Sequence, residues 1–312
     1  MSRKARWALY ALIIPLGIAS ALLVVALLGS VSAGLWLPTL IWLALTLGGF
    51  FVLGLVFHWF PDTANDEEYE LYLQTGDPVH YRFCEAYEES WVKQPISVWT
   101  DLAFVVVGLA VVLIAGTRPA AAPNPMADPN SPVPLLYGLA VIFMGPGSMY
   151  FHASMKAWAA WFDNMSIIFW AAFSMSYTWI RLIGAWFDIS ADFLWIVFGV
   201  VVIIVGLSTF VSENVRRTSQ VIVIGLWFVV EFIFAGGIWL GYTPGLYRDT
   251  NWFLGALIAF GLAFGTWIPS GGVNRSFCHP DSPFQGHGFW HLFTAIGTLL
   301  VYMYFVSEFV KL

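Results

Sequence analysis

Residues 145–163 read GPGSMYFHASMKAWAAWFD and join the end of one apolar stretch to the start of the next. Ser148 and His152 are four residues apart, so on a helix they share one face about one turn from each other. After a short turn at Lys156, Asp163 enters the following apolar stretch. A tight antiparallel connection would bring Asp163 back beside Ser148 and His152. The segment therefore predicts two antiparallel helices with a polar cluster at their junction.

The composition of the chain is that of a membrane protein. Of its 312 residues, 59% are hydrophobic and only 10% are charged, and the mean hydropathy is +0.77. A soluble domain of this size needs more charge on its surface. The 17 tryptophans and 12 tyrosines are typical of aromatic belts at membrane interfaces. The 13 lysines and arginines are thinly spread, so we expect no nucleic-acid partner.

Stretches of about 20 apolar residues can cross a bilayer as helices. The sequence predicts nine such spans, at 7–29, 36–59, 97–116, 134–155, 160–184, 191–211, 219–241, 252–270 and 287–308. The first apolar run is longer than that of a signal peptide, so we expect a retained span. The predicted fold is all-α: a seven-helix transmembrane bundle (97–312) preceded by two extra transmembrane helices (1–60) and an acidic interfacial loop (61–96).

Lysine and arginine are unevenly divided between the two sides of the membrane when the loops are assigned alternately. One side holds Arg3, Lys4, Arg6, Arg82, Lys93, Lys156, Arg216, Arg217 and Arg275, and the other holds Arg118, Arg181, Arg248 and Lys311. Because positively charged loops favour the cytoplasm, the count places the N-terminus and the histidine end of the bundle there.

Two further histidines, His287 and His291 in the segment GHGFWH, are also four residues apart and begin the last apolar span. A lone histidine in a span usually packs through a hydrogen bond. Two on one face, near a third at a neighbouring helix end, are harder to explain that way, because ionisable groups in spans are costly. Neutral imidazoles bind zinc well, and three protein ligands are the pattern of a catalytic site. We therefore predict that His152, His287 and His291 bind a metal ion, with structural histidines as the alternative.

Two polar residues near His152 would complete the catalytic site of a hydrolase. Asp163 could accept a proton from water whose pKa a zinc ion lowers to about 7. Ser148 could donate a hydrogen bond to a developing oxyanion. The alternative for Ser148 is a bond to a carbonyl of its own helix, which is common for serine in spans. Because both residues accompany His152, we favour catalytic roles for both.

Other residues leave alternatives open. Gly145, Pro146 and Gly147 either allow close helix packing or loosen the helix so that a neighbour or an acyl chain can approach the metal. Glu231 lies within a predicted span, where it either lines the bundle interior or is a paired polar residue. Asp101 could pair with a basic residue or orient a loop.

The order and spacing of these motifs resemble those of the alkaline ceramidases. The matching residues are Gly145, Gly147, Ser148, Phe151, His152 and Asp163, then His287, Trp290 and His291. Upstream, Cys84-Glu85 and the segment 94–109 (QPISVWTDLAFVVVGL) are similar to the segment that leads into the family's first core span. The resemblance covers about residues 84–308.

This resemblance implies a seven-span intramembrane zinc amidase of a wider superfamily that includes the adiponectin-type receptors. Its implied activity is hydrolysis of the N-acyl amide bond of ceramide-like lipids to a long-chain base and a fatty acid. It also implies that His152, His287 and His291 hold zinc, that Asp163 handles the proton and that Ser148 supports the oxyanion. The implied partners are a lipid substrate and membrane lipids; the sequence carries no signal for an oligomeric state.

The resemblance further implies a calcium site around 84–94 and a Cys84–Cys278 disulfide. For calcium, Glu85 remains, but Gln94 stands where the family has a glutamate and Arg82 where an acid would help. Calcium prefers several hard oxygens with carboxylate charge, so these departures speak against calcium regulation and leave Glu85 and Gln94 as a vestigial site. The disulfide would be unusual in a reducing cytoplasm and conflicts with the orientation given by the charge count.

Two other functions remain open from the sequence. One is a receptor-like or transport bundle in which zinc is structural; such a site usually has four protein ligands and has no need of Ser148 or Asp163. The other is a hydrolase of lipid esters, which the same residues could serve.

Overall fold

The computed structural model describes residues 83–86, 88, 92–118, 124–155, 157–187, 196, 199–200, 213–241, 245–271 and 276–310. The helices in these ranges are α1 (Pro95–Thr100), α2 (Leu102–Thr117), α3 (Pro132–Ser154), α4 (Ala157–Phe187), α5 (Glu213–Leu240), α6 (Thr250–Gly271) and α7 (Gly286–Val306). Two short strands, β1 (Leu246–Tyr247) and β2 (Phe309–Val310), pair antiparallel, with Leu246 opposite Val310.

In the part of the chain that the structure describes, six helical stretches are long and apolar enough to cross a membrane. They are Pro95–Thr117, which combines α1 and α2, then Pro132–Ser154, Ala159–Gly184, Thr218–Ile238, Thr250–Ser270 and Gly286–Val306. They confirm six of the nine predicted spans and an all-α, multi-pass membrane protein. The described part of the chain does not include the predicted spans 7–29 and 36–59. It includes only three residues of the predicted span 191–211. The seven-helix core, the two extra helices and the domain boundaries therefore stay predictions.

Local sequence signals explain where α3 begins and ends. The Ser131 hydroxyl accepts a hydrogen bond from the backbone N–H of Val133 at 3.2 Å, and Pro132 occupies the first helical position. The helix ends at Ser154 because Met155 adopts a left-handed backbone conformation with φ of 55°. This sharp reversal leads into α4 and leaves His152 in the last turn of α3.

Small residues set how closely the helices pack around this junction. A Cβ atom on Gly145 would lie 2.7 Å from Val105 Cγ2 and 3.0 Å from the carbonyl oxygen of Asp101. A Cβ atom on Gly147 would lie 3.1 Å from the carbonyl oxygen of Phe162 on α4. The two glycines thus let α3 touch the backbones of its neighbours, which favours the close-packing interpretation. The remaining helices continue this packing, with α7 lying between α2 and α6 and α5 lying against α4.

The opposite end of the bundle, ~25 Å from the histidines along α4 and α7, is held by buried ion pairs. Arg248 Nη2 lies 2.8 Å from Glu308 Oε2, and Arg248 Nη1 lies 3.4 Å from Glu231 Oε2. The Arg181 Nε atom donates to Glu308 Oε1 at 2.6 Å. Burial alone would lower the pKa of Arg248, but Glu308 and other nearby acidic groups hold it above its ordinary value. Glu231 is therefore a paired polar residue, and the network fixes α7 against α4, α5 and β1.

Candidate metal centre

Three buried histidine rings meet where the end of α3 approaches the start of α7. One ring nitrogen from each of His152, His287 and His291 lies within 4.8 Å of the others. Their residues are only 0%, 5% and 2% exposed, respectively. The Nε2 atoms of His152 and His287 are 3.0 Å apart. The predicted convergence of these residues is thus present in the structure, and the cluster could hold a metal ion such as zinc.

The outer nitrogens of two of these rings contact the segment that leads into and forms α1. Gln94 Oε1 lies 2.7 Å from Nδ1 of His152. Asp101 Oδ1 lies 3.1 Å from Nδ1 of His291, and Thr100 Oγ1 lies 3.0 Å from the same atom. Amide and carboxylate oxygens accept hydrogen bonds, so Nδ1 is the donor and Nε2 keeps its lone pair. Metal-binding histidines are commonly oriented in this way, so the donor set fits a zinc ion.

The side-chain oxygens of Glu85 and Gln94 already form hydrogen bonds within the protein. The Glu85 carboxylate accepts from the backbone N–H of Ile96 at 2.6 Å, and from the backbone N–H and hydroxyl of Ser97 at 2.9 and 2.8 Å. Gln94 Nε2 donates to the backbone carbonyl of Glu85 at 3.2 Å. Burial raises the pKa of Glu85 to about 7, and the hydrogen bonds from Ile96 and Ser97 oppose that rise. The Glu85 carboxylate caps the N-terminus of α1, an arrangement that favours a structural role over calcium binding.

Ser148 and Asp163 lie near the histidine cluster, and their catalytic roles stay predictions. Ser148, one turn before His152 on α3, is 5% exposed and lies near the Asp101 carboxylate. Asp163, near the start of α4, is close enough to Asp101 for their carboxylates to interact electrostatically. Both Ser148 and Asp163 line the same cavity as His287 and His291. The left-handed turn at Met155 makes this arrangement, because it folds α4 back along α3.

The cavity has a volume of about 680 Å³ and runs from the histidines into the bundle. Its inner end is formed by Trp170, Trp227 and Phe260, whose ring centroids are 4.9 to 6.0 Å apart. Trp170 is seven residues beyond Asp163 on α4, so this end lies ~10 Å from the polar end. Val221 of α5 lines the cavity and is 71% exposed, so the cavity reaches the outer face of the bundle. An apolar cavity with polar groups at one end suits an amphiphilic ligand.

Comparison with protein families agrees with the motifs and the site. The sequence model of the family described as Ceramidase matches residues 83–310, which is most of the chain. The chain belongs to the ceramidase family. The resemblance drawn from the motifs is thereby confirmed, and the matched range of this ceramidase-family protein includes the three histidines, Ser148 and Asp163. A comparison with individual curated proteins finds no match.

The sequence interpretation missed three residues that contact the histidines of this ceramidase-family chain. Asp101 was expected to pair with a basic residue or orient a loop, and its carboxylate oxygen Oδ1 lies 3.1 Å from Nδ1 of His291. A carboxylate inside an apolar span is costly, and that cost was the available signal. Gln94 and Thr100 carried no signal, because an amide before a span and a hydroxyl within one are ordinary residues there.

A disulfide joins Cys84 to Cys278, with their Cα atoms 5.4 Å apart. It ties the segment before α1 to the loop that leads into α7. The adjacent Phe83 packs against His287, with ring centroids 4.2 Å apart. The disulfide therefore braces the entry to the helix that carries two of the three histidines in this ceramidase-family protein.

The disulfide bears on the orientation of the protein in the membrane, because such bonds persist in oxidising compartments. We predict that a membrane-impermeant thiol reagent labels intact cells only after reduction, which reverses the orientation given by the charge count. The chain has no other cysteines, so the Cys84→Ser/Cys278→Ser double variant is the unlabelled control. Labelling that requires broken membranes and no reductant would contradict this prediction and support the cytoplasmic assignment.

Proposed function

We propose that this chain is a zinc-dependent intramembrane hydrolase that cleaves the N-acyl amide bond of ceramide-like lipids to a long-chain base and a fatty acid. The observation that carries the proposal is the convergence of His152, His287 and His291 beside Ser148 and Asp163 at one end of an apolar cavity. Membership of the ceramidase family supports an amide as the bond that is cleaved.

The three histidines are the residues that would hold the zinc ion. Within the described residues the cluster has three members, as catalytic zinc sites do, whereas structural zinc sites usually have four. When bound, zinc lowers the pKa of water to about 7 and polarises a carbonyl group. The contacts of His152 Nδ1 with Gln94, and of His291 Nδ1 with Thr100 and the nearby Asp101 carboxylate, aim an Nε2 lone pair of each ring into the cluster.

The remaining side chains move the proton and stabilise charge. Asp163 accepts a proton from the attacking water and returns it to the leaving amine nitrogen. Ser148 donates a hydrogen bond to the carbonyl oxygen as that oxygen becomes negative. Asp101 lies 3.1 Å from His291 Nδ1 and acts as a positioning residue for that ring.

The walls of the cavity support entry of a lipid from the bilayer. Val221 on α5 and Phe264 on α6 line the cavity and are 71% and 38% exposed. Nearby residues on the outer faces of these two helices, such as Ile222 and Leu262, are also exposed and apolar. A two-chain lipid could therefore move sideways from the membrane to the histidines without passing its chains through water.

The proposed function is tested with the purified full-length protein and three lipids: a ceramide, an N-acyl amino lipid and an ester of matched chain length. We expect release of fatty acid and amine from the amides, loss of release with a chelator, and recovery on adding zinc. Faster cleavage of the ester would make the protein a lipid esterase. Failure to cleave any lipid with zinc bound would favour the receptor-like or transport bundle.

Gln94 provides a prediction about metal affinity. Because Gln94 Oε1 is the acceptor for His152 Nδ1, Gln94→Leu is expected to weaken zinc binding by roughly 10–100-fold, the usual cost of losing such a partner. Gln94→Glu retains an oxygen acceptor and should bind zinc nearly as tightly as the wild type. Competition against a chromogenic chelator measures both affinities. Equal affinities for the leucine variant and the wild type would refute this role of Gln94.

A further inference from the structure

We propose that Thr294 is a specificity residue that binds a hydroxyl group of the substrate close to the scissile amide. The inference rests on the proposed function and adds a chemical feature of the substrate. It concerns a side chain that has no part in holding the metal or moving the proton.

The Thr294 hydroxyl is a buried polar group without a hydrogen-bond partner among the described residues. Thr294 lines the cavity, is 6% exposed, and its Oγ1 atom has no hydrogen bond to any of the described residues. Buried polar groups in proteins are nearly always paired, because leaving one unpaired is costly. A hydrogen-bonding partner from a bound molecule would remove that cost.

Two other threonines of the bundle satisfy their hydroxyls within their own helices. Thr298, one turn further along α7, donates to the carbonyl oxygen of Ala295 at 2.8 Å. Thr266 on α6 donates to the carbonyl oxygen of Leu262 at 3.0 Å. This bond to the preceding turn is the ordinary arrangement for a threonine in a helix. Thr294 lacks this bond to the preceding turn and lies in the cavity wall. Its hydroxyl is therefore available to a ligand in the cavity.

The place of Thr294 along the cavity defines which part of the substrate it would contact. Thr294 follows His291 by three residues, so it shares a face of α7 and lies ~4.5 Å further into the bundle. Trp170, Trp227 and Phe260 form the apolar end beyond that level. Thr294 thus lies between the metal cluster and the apolar end, and the other hydroxyl at this level of the cavity, that of Ser166, already donates to the carbonyl oxygen of Asp163 at 2.7 Å. The matching molecule has an amide, a hydroxyl within two or three bonds of it, and then an alkyl chain.

The substrate hydroxyl could belong to the amine part or to the acyl part, and the chemistry of Thr294 is the same for both. Three amides separate the two sources. They are N-octanoyl octadecylamine, which has no hydroxyl; N-octanoyl-2-amino-octadecan-3-ol, with a hydroxyl on the amine part; and N-(2-hydroxyoctanoyl) octadecylamine, with a hydroxyl on the acyl part.

We expect the wild-type protein to prefer one of the two hydroxylated amides. Its kcat/KM for that amide should be about tenfold above its kcat/KM for the amide without a hydroxyl. Thr294→Val, which replaces the hydroxyl by a methyl group, should remove that preference by slowing only the hydroxylated substrate. Thr294→Ser keeps a hydroxyl group, so it should retain the preference for the hydroxylated amide. Thr298→Val is the matched control, since it removes a buried hydroxyl of the same helix that is already paired, and it should leave the preference unchanged.

A second readout separates this inference from the proposed function. Binding of the three amides to full-length Asp163→Asn protein, measured as a shift of the thermal unfolding midpoint, needs no turnover. We expect a larger midpoint shift with a hydroxylated amide, and we expect the difference to disappear in the Asp163→Asn/Thr294→Val protein. That result would support the role of Thr294 even if no amide is cleaved. Equal kcat/KM values and equal shifts for all three amides, or a preference that survives Thr294→Val, would overturn it.

Discussion

His287→Ala is expected to reduce amide hydrolysis to background, because only His152 and His291 would remain to hold the metal. Loss of a hydrogen-bonding partner of a metal-binding histidine already costs roughly 10–100-fold in affinity, and loss of the ligand itself should cost more. The surrounding cavity should persist, since the buried ion pairs at Arg248 and the disulfide that brace α7 do not involve His287. Hydrolysis by zinc-loaded wild type and variant, assayed side by side, measures the effect.

The matched control for this substitution is His279→Ala. His279 is exposed in the loop before α7 and lies outside the three-histidine cluster. Its backbone carbonyl accepts from Gln285, and that bond survives the change. The control should therefore retain full activity. Comparable activity in a folded His287→Ala protein would contradict the assignment of His287 as a metal ligand.

Asp163→Asn is expected to lower kcat by about 10²–10⁴-fold while zinc content stays unchanged. A correctly placed proton acceptor contributes an acceleration of that size, and asparagine keeps the shape of the side chain without the basic oxygen. The metal should remain because the three histidines are untouched. Steady-state kinetics combined with elemental analysis of the same preparation separates loss of chemistry from loss of metal.

Asp249→Asn provides the control for removing one negative charge. Asp249 is exposed at the other end of the bundle, where its carboxylate accepts from the backbone N–H of Asn251. An amide oxygen can accept the same bond, so this variant should have normal kcat. Near-normal turnover in correctly folded Asp163→Asn protein would refute the proton-transfer role of Asp163.

Local spacing predicted the parts of this fold that depend on neighbours in the chain. Residues four apart share a helix face, so the sequence alone places Ser148 beside His152, and His287 beside His291. The six described spans follow in the same way from runs of apolar residues. Asp163 could also be placed, because a short turn leaves few ways for α4 to return along α3.

Contacts between distant segments could not be predicted in the same way. Gln94 and His152 are 58 residues apart in the chain, and Thr100 and His291 are 191 apart. Which side chain of α1 meets which histidine depends on how helices cross, and a run of apolar residues does not encode the crossing. The same limit applied to Gly145 and Gly147, whose packing against the Asp101 and Phe162 backbones became visible only in the assembled bundle.

The central claim is that three buried histidines hold one zinc ion that hydrolysis requires. Elemental analysis of the purified full-length protein, with protein concentration determined by amino-acid analysis, tests it most directly. We predict one zinc per chain in the wild type and in Asp163→Asn, and little or none in His152→Ala, His287→Ala or His291→Ala. A wild-type protein without zinc, or a His287→Ala protein with an unchanged zinc content, would contradict it.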